Sequence, residues 1–520
     1  MTEQADHAGH ADRIVVAGGG VGGLAFALML GRAGRRVTLV ERDVLDDEPD
    51  PEAAFDGPRR GVAQTHQTHG FLARLRLVLR DRLPDVLAGV EAAGAHTLAL
   101  SSDLGEPRPG DDDLAVLIVR RTTLEWVLRR AVAAEPGIEV RSGQTVVGLV
   151  TGEAPAGTGV PHVVGARLAG GDVLQGTVVA CTGSRGDVPA WLAALGVEVP
   201  EDEHQTKLIY LTRWYRLPAD QPPAELGGRL FGDLGYLRYL VVPGDGGTLS
   251  ATLAVHVRDH ELRAQLLDGD RFDRAVRRLP GPDRFFTPGP VEALGPVRPM
   301  AGLVNRLRRF VDDRQQPLVT GFHAMGDAHT CTNPLYGRGC ALAMVQAGLL
   351  ADAFAAHPGD PVARAVAYEA ASAREVEPWF HGSVQMDKLR DKVEARAARR
   401  RAAKSAGNGA GDGAGNGAGR ADPIDATGNG GGPADATPPA DSAAEADEAE
   451  AAAATFGRIM VEGGSDPVIG RAIIRLFNLL VLPHELLADA ELLARVAPLL
   501  AKPPQAPPEP EGPTLAELLA

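Results

Sequence analysis

Gly18, Gly20 and Gly23 stand in the spacing Gly-x-Gly-x-x-Gly within Arg13 to Glu41, RIVVAGGGVGGLAFALMLGRAGRRVTLVE. Glycines so spaced suit phosphate binding. The first permits a tight turn, the second lets backbone approach a pyrophosphate, and the third lets a helix pack closely on a sheet. The N-terminus of that helix then offers free N–H groups to the anion. Glu41 ends the next strand, where its carboxylate can take a pair of ribose hydroxyls. IVVAG has the β-branched character of a buried parallel strand, and LAFALML is a helical segment punctuated by Gly31 and Gly34. The unit reads as a βαβ dinucleotide site; the alternative is a similar turn that binds nothing.

Three further groups could do chemistry. Gln64, His66, Gln67 and His69 precede an amphipathic helix with apolar Phe71, Leu72, Leu75, Val78 and Leu79. The histidines have no nearby cysteine or carboxylate to complete a ligand set, so no metal is expected. The cluster either caps the helix or faces a cofactor or substrate. Arg121 stands at the strand-to-helix junction of LAVLIVRRTTLEWVLRR, with Thr122 and Thr123 available as caps. It either reaches a phosphate or ribityl group or forms a surface salt bridge. Finally, Gly326 and Asp327 end a strand, and the loop HTCTNPLYGRG runs into the apolar helix CALAMVQAGLLADAF. Backbone N–H groups around Gly337–Cys340 would point at an anionic group placed there.

The elements that position these residues divide the chain. Its 520 residues suggest two or three domains, and a 44% hydrophobic content is ample for burial. A cofactor domain spans 12–200, a β-rich insert 201–300, and a return to the first domain with helices 301–400. Turn signals such as PGDGG separate runs like TKLIYLTRWYRL and TLSATLAVHV in the insert, which marks an antiparallel sheet. KLRDKVEARAARRRAAK reads as a solvated basic helix face. Residues 405–453 have the composition of a disordered acidic linker, and 454–520 restore helical periodicity before a Pro-rich extended tail. A net charge of −15 argues against broad binding to nucleic acid or anionic membrane. Three cysteines supply no disulfide framework, so a reduced, cytoplasmic setting is the default. The N-terminus lacks an apolar signal core, and an uninterrupted apolar run of about 18 residues is absent, so no transmembrane segment is expected.

Taken together, the motifs resemble the FAD-dependent monooxygenases of the aromatic-hydroxylase type, and more narrowly bacterial FAD-dependent oxidoreductases that include polyether-type epoxidases. GGGVGG with Glu41, Arg121 followed by Leu-Glu, and MGDAHTCTNPLYGRG carry the resemblance from Arg13 to about Phe354. It implies an α/β fold: a Rossmann-like FAD-binding domain, an inserted antiparallel β-rich substrate domain and C-terminal helices. It also implies that Gly326 and Asp327 hold the ribityl chain and that Pro334, Gly337 and Gly339 lie along the flavin ring. The family segment G-V-P-Q-x-x-H-x-H is here GVAQTHQTH, so Gln64 and His69 match while Ala63 and Gln67 depart. Ala180 and Asp187 replace an acidic and a basic residue common in relatives, which leaves the electron donor open: NAD(P)H directly, or through a separate flavin reductase.

The implied reaction transfers one oxygen atom from O₂, through a flavin C4a-hydroperoxide, to an aromatic or alkene-containing small molecule. Gln64 and His69 are the candidate catalytic polar groups. Rival readings are an FAD-dependent reductase or dehydrogenase acting on a prenyl or polyketide double bond, and a flavin-binding protein without turnover. Composition generates one prediction: shortening the 405–453 linker shifts unfolding free energy by no more than about 1 kcal/mol, because closure entropy grows slowly with length. Denaturant titration of the shortened chain checks this; a larger loss would reveal an ordered element there.

Overall fold

The computed structural model describes residues 13–45, 47–218, 230–287, 289, 291–408, 451, 454–502 and 512–520. β1 (Arg13–Ala17), α1 (Val21–Arg32) and β2 (Arg36–Glu41) form the first βαβ unit. α2 (Arg121–Ala134) leads to β3 (Ile138–Ser142), and β4 (Thr177–Ala180) follows a three-stranded meander. β5 (Leu208–Arg216), β6 (Arg238–Pro243) and β7 (Thr248–His256) belong to the antiparallel insert. The chain then returns through β8 (Phe322–Ala324) to α3 (Gly339–Ala356), α4 (Pro361–Glu375) and α5 (Glu377–Asn408).

The first sheet is parallel, in the order β8-β4-β1-β2-β3. Its central strands are buried on both faces, which accounts for their unbroken apolar runs. α1 is buried almost all round: Leu24, Phe26 and Leu28 have no exposed surface, and Phe26 meets Phe354 of α3 at 6.0 Å between ring centroids. Each such side chain contributes roughly 1.5–3 kcal/mol of hydrophobic stabilisation. α3 is apolar and long enough to span a membrane by length and composition, although Gln346 and Asp352 interrupt its apolar run. Here it is a core helix. Leu342, Met344 and Leu350 pack in the main core, while buried Gln346 accepts the Gly326 N–H at 2.8 Å.

In the insert the two-residue period separates two faces. Leu211, Tyr215 and Leu253 pack under the helices His260–Leu266 and Gly269–Arg277. Tyr210, Thr212 and Trp214, opposite Ala254, Thr252 and Ser250, take the other face, toward the first domain. Glu201–Gln205 pairs with Val304–Arg308 rather than with this sheet, so the insert begins after Gln205.

Near the C-terminus, helices Pro467–Phe477 and Ala490–Leu500 pack on each other. Arg471 fastens them to Asp111 at 2.7 Å. The Gln/His cluster does not cap the helix Ala73–Arg82, whose N-cap Leu72 has no side-chain bond to give. Asn478 supplies the cap from far along the chain, its side-chain oxygen accepting the Ala73 N–H at 3.0 Å. Thr122 and Thr123 are likewise not caps: Arg120 is the N-cap of α2, and Thr123 donates to Asp245 at 2.7 Å. The expected linker begins too early, because α5 runs to Asn408; its remainder lies almost wholly outside the described residues. Beyond the Pro-rich tail, most of which also lies outside them, Leu515–Leu519 forms a helix that buries Leu518 against the insert. The Thr514-x-x-Glu517 capping box was its signal in the sequence.

Replacing Asn478 by Ala removes the partner of a buried N–H. The expected cost is about 1–3 kcal/mol. Chemical denaturation checks it, and an unchanged midpoint would show that the cap contributes nothing.

Candidate functional site

The residues singled out by spacing converge at the ends of β1, β2 and β8 and at the starts of α1, α2 and α3. Gly18 has a left-handed backbone, φ 115°, and an added Cβ would lie 2.3 Å from the Cys181 carbonyl oxygen. A Cβ on Gly23 would strike the Gly18 carbonyl oxygen at 2.0 Å, so both positions must stay bare. Gly20 is different. Its backbone is extended, and an added Cβ would meet only Arg121 Nη2, at 3.8 Å. That space is an open approach to the start of α1.

Glu41 is buried at the end of β2. Its Oε2 accepts the Gly19 N–H at 2.7 Å and its Oε1 the Asp43 N–H at 2.9 Å, which leaves lone pairs on both oxygens. Arg59, absent from the sequence candidates, is folded into the same corner. Its guanidinium lies 3.7 Å from Glu41, 3.5 Å from Asp43 and 3.5 Å from Glu125. Arg59 Nε and Nη1 nevertheless have no hydrogen-bond partner among the described residues. The two adjacent arginines in the loop after β2 were its only signal.

Arg121 is buried, not a surface ion pair. Its Nε donates to Glu125 at 2.8 Å, one helical turn on. Nη1 lies 3.5 Å from His69 Nε2 and 3.7 Å from Cys340 Sγ on α3. Burial works against the Glu125 charge, but Arg121 and Arg59 hold its carboxyl below the usual range. One cation therefore stands beside the open space at Gly20 and reaches the Gln/His segment and the start of the helix that follows the third motif.

Of that segment, His69 faces Arg121 and stacks on Phe71. Its Nδ1 lies 2.9 Å from the Gln67 carbonyl oxygen and so carries the proton, leaving Nε2 as an acceptor. Gln67 reaches the insert, its Oε1 accepting from Thr212 at 2.6 Å. His66 Nε2 bonds the Phe55 carbonyl at 2.8 Å. No hydrogen bond joins the Gln64 side chain to any described residue. Nor, among the described residues, do three His, Cys, Asp or Glu side chains converge as a metal site would require.

In the third motif Gly326, φ 60°, turns the chain and Asp327 follows at the end of β8. Burial raises the Asp327 pKa against the opposing pull of Arg121 and Arg306. Its carboxylate accepts no hydrogen bond from the described residues, although its Oδ1 would lie 3.9 Å from a Cβ on Gly339. Pro334–Tyr336 forms a 3₁₀ turn, Gly337 is left-handed at φ 64°, and Gly339 opens α3.

No family model matches the sequence, and no curated protein does. Solved structures do. A probable FAD-dependent monooxygenase from Pseudomonas aeruginosa, PqsL, superimposes with a TM-score of 0.53 at 18% identity over 74% of this chain and 95% of its own. The p-nitrophenol 4-monooxygenase PnpA from Pseudomonas putida gives 0.52 at 18% identity, over 74% of this chain and 91% of its own. The chain has the fold of the FAD-dependent monooxygenases.

The side chains present fit the cofactor that this fold implies. Open space stands at Gly20, Arg59 has unused donors, and Asp327 has unused acceptors. These donors and acceptors suit a group with an anionic middle and hydroxyls on both sides.

His69 generates a prediction. Burial and then the Arg121 charge push it down to about 4. Between about pH 6.5 and 4 the unfolded chain therefore binds a proton that the folded His69 does not, and stability falls with pH through that window. His69→Gln removes this component, so its stability should decline less from pH 6.5 to 4. Imidazole NMR of the wild-type protein should show neutral His69 at pH 6; a midpoint near 6.5 would contradict the site's geometry.

Proposed function

We propose that the protein is an FAD-dependent monooxygenase that transfers one atom of O₂ to an aromatic or alkene-containing small molecule. When bound, FAD supplies the activation of oxygen, and NAD(P)H supplies two electrons, directly or through a separate reductase. The observation that carries this reading is the convergence on Arg121 of three motifs far apart in the sequence. It sits on a fold shared with monooxygenases.

Each residue then has a physical task. Gly18, Gly20 and Gly23 let the start of α1 approach a pyrophosphate, whose charge Arg59 and Arg121 offset. Glu41 and Asp327 accept hydroxyl protons from the adenosine ribose and the ribityl chain. Gly326 supplies the turn that presents Asp327. Pro334, Gly337 and Gly339 lay backbone along the ring, where the N-terminus of α3 favours negative charge. The polar face of β5 and β7 covers that ring and excludes water. His69, neutral and bonded to Arg121, accepts a hydrogen bond without bringing charge to the ring edge; Gln64 stands in the same segment. Nothing in these tasks requires a membrane or nucleic-acid partner, and a cytoplasmic setting suits the three unpaired cysteines.

The purified protein should be yellow and should release FAD, identified by chromatography. Gly20→Val places methyl groups where the pyrophosphate must come and should yield largely flavin-free protein; a fully loaded variant contradicts the assignment. Aromatic and polyene substrates tested under ¹⁸O₂ should yield product carrying one labelled atom. A double bond reduced without label would favour a reductase instead.

A further inference from the structure

The loop Asn333–Arg338 belongs to the proposed site, yet its own backbone hydrogen bonds are few. They are Tyr336 N–H to the Asn333 carbonyl, Gly337 N–H to the Pro334 carbonyl, and Leu342 N–H to the Arg338 carbonyl at the start of α3. What holds the loop is α5. Trp379, Ser383 and Asp387 recur every four residues and so share one face of that helix. Arg338 Nη1 donates to Ser383 Oγ at 2.8 Å and to the Trp379 carbonyl at 3.3 Å, and its guanidinium lies over the rings of Tyr336 and Trp379.

One turn further, Asp387 is only 4% exposed and accepts from four side chains. Asn333 Nδ2 donates at 2.9 Å, the Tyr336 hydroxyl at 2.8 Å, Asn305 Nδ2 at 2.7 Å and Arg390 Nη1 at 2.6 Å. Asn333 and Tyr336 bracket the 3₁₀ turn, so a single carboxylate grips both ends of it. Asn333 is itself saturated. Its N–H donates to Asn305 Oδ1 at 2.7 Å, and its Oδ1 accepts the Tyr210 hydroxyl at 2.7 Å and the Leu335 N–H at 3.0 Å. Tyr210 stands on the ring-facing side of β5, and Leu335 packs against the cluster of Tyr210 and Met300.

We propose that Asp387 is a positioning residue for the oxygenation reaction: from α5 it fixes the Asn333–Gly337 loop against Tyr210 and so sets the gap between the ring and the substrate-facing sheet. This rests on the function proposed above, but the contacts that hold the loop do not. A carboxylate suits the role because it offers only acceptors to four donors. An amide at 387 has a single acceptor oxygen and turns an NH₂ toward Asn333, Asn305 or Arg390. A buried network left half-satisfied loosens locally even where the fold survives.

Asp387→Asn and the milder Tyr336→Phe separate the outcomes. In the full chain, hydrogen–deuterium exchange at Leu335–Gly337 should accelerate in both variants while Arg13–Glu41 stays as in wild type. Unchanged exchange at the loop overturns the proposal, whether or not flavin is present. In the flavin-loaded protein both variants should keep FAD near wild-type stoichiometry but shift its visible absorption band. Turnover number should fall about tenfold or more while KM moves little, since a small misplacement of reacting groups is expensive in rate. A fall in KM-limited binding alone, with band and turnover number intact, also overturns it. The exchange double variant Asn333→Asp with Asp387→Asn restores one acceptor–donor pair with its polarity reversed. It should recover part of the absorption band and turnover, and no recovery would mean that Asp387 does not act through Asn333. Wild-type protein that binds no flavin would defeat the functional reading, with loop exchange still deciding the role of Asp387.

Discussion

A buried guanidinium is the constraint on which the rest of this structure depends. Arg121 is 7% exposed and cannot shed its charge, so everything around it must supply acceptors or anions. Glu125 gives one, at the cost of burying a second charge. Removing Glu125 alone leaves the Arg121 charge without its ion-pair partner in a poorly solvated place, and breaking a buried pair in this way typically costs about 3–5 kcal/mol. A pair with that liability is a poor device for stability alone. Its position explains it better: the guanidinium stands beside the open space at Gly20, and its Nη1 faces His69 and Cys340. The site is a cationic corner held rigid by its neighbours.

Around that corner the fold divides the labour. The parallel sheet runs β1, β2 and β8 in one direction, with β4 between β8 and β1, which brings the glycine turn, Glu41 and Asp327 to the same end of the sheet. The antiparallel insert turns a polar face to the Gln/His segment and to the Asn333 loop. Thr212 bonds both Gln67 and Thr252, and Thr252 reaches Thr68, so this face is tied to the segment carrying His69. α5 lies behind the third motif and holds its loop through Ser383, Asp387 and the Trp379 carbonyl. The two halves of the site thus hang on different parts of the chain, and they meet at Tyr210 and Asn333.

Much of this was legible before any coordinates. The glycine spacing, the acid ending β2 and the Gly-Asp turn are local signals, and each rests on a backbone requirement that composition betrays. The insert was equally visible, because its β-rich runs are separated by turn signals such as PGDGG. What escaped the sequence were long-range partners. Arg59 lies in a loop with no periodicity, and nothing local shows that it folds back on Glu41 and Glu125. Arg390 sits in the basic run read as a solvated face, and Asp387 stands immediately before that run, yet Arg390 is buried against Asp387 at 2.6 Å. Asn478 caps a helix some four hundred residues earlier, a contact no window could reveal. Gln64 and Gln67 illustrate the same limit: the pattern pointed to the first, and the hydrogen bonds run through the second.

The central claim is that Arg121 serves a bound dinucleotide. Its most direct test is FAD affinity in the paired variant Arg121→Met with Glu125→Gln, which removes the cation without stranding its buried partner. Fluorescence titration of refolded apoprotein, with circular dichroism confirming an intact fold, gives the dissociation constant. Loss of a charged hydrogen-bond donor worth about 1.5–3 kcal/mol predicts affinity at least about tenfold weaker than wild type. Wild-type affinity in a folded variant would contradict the account and make Arg121 a structural ion-pair residue with no part in binding.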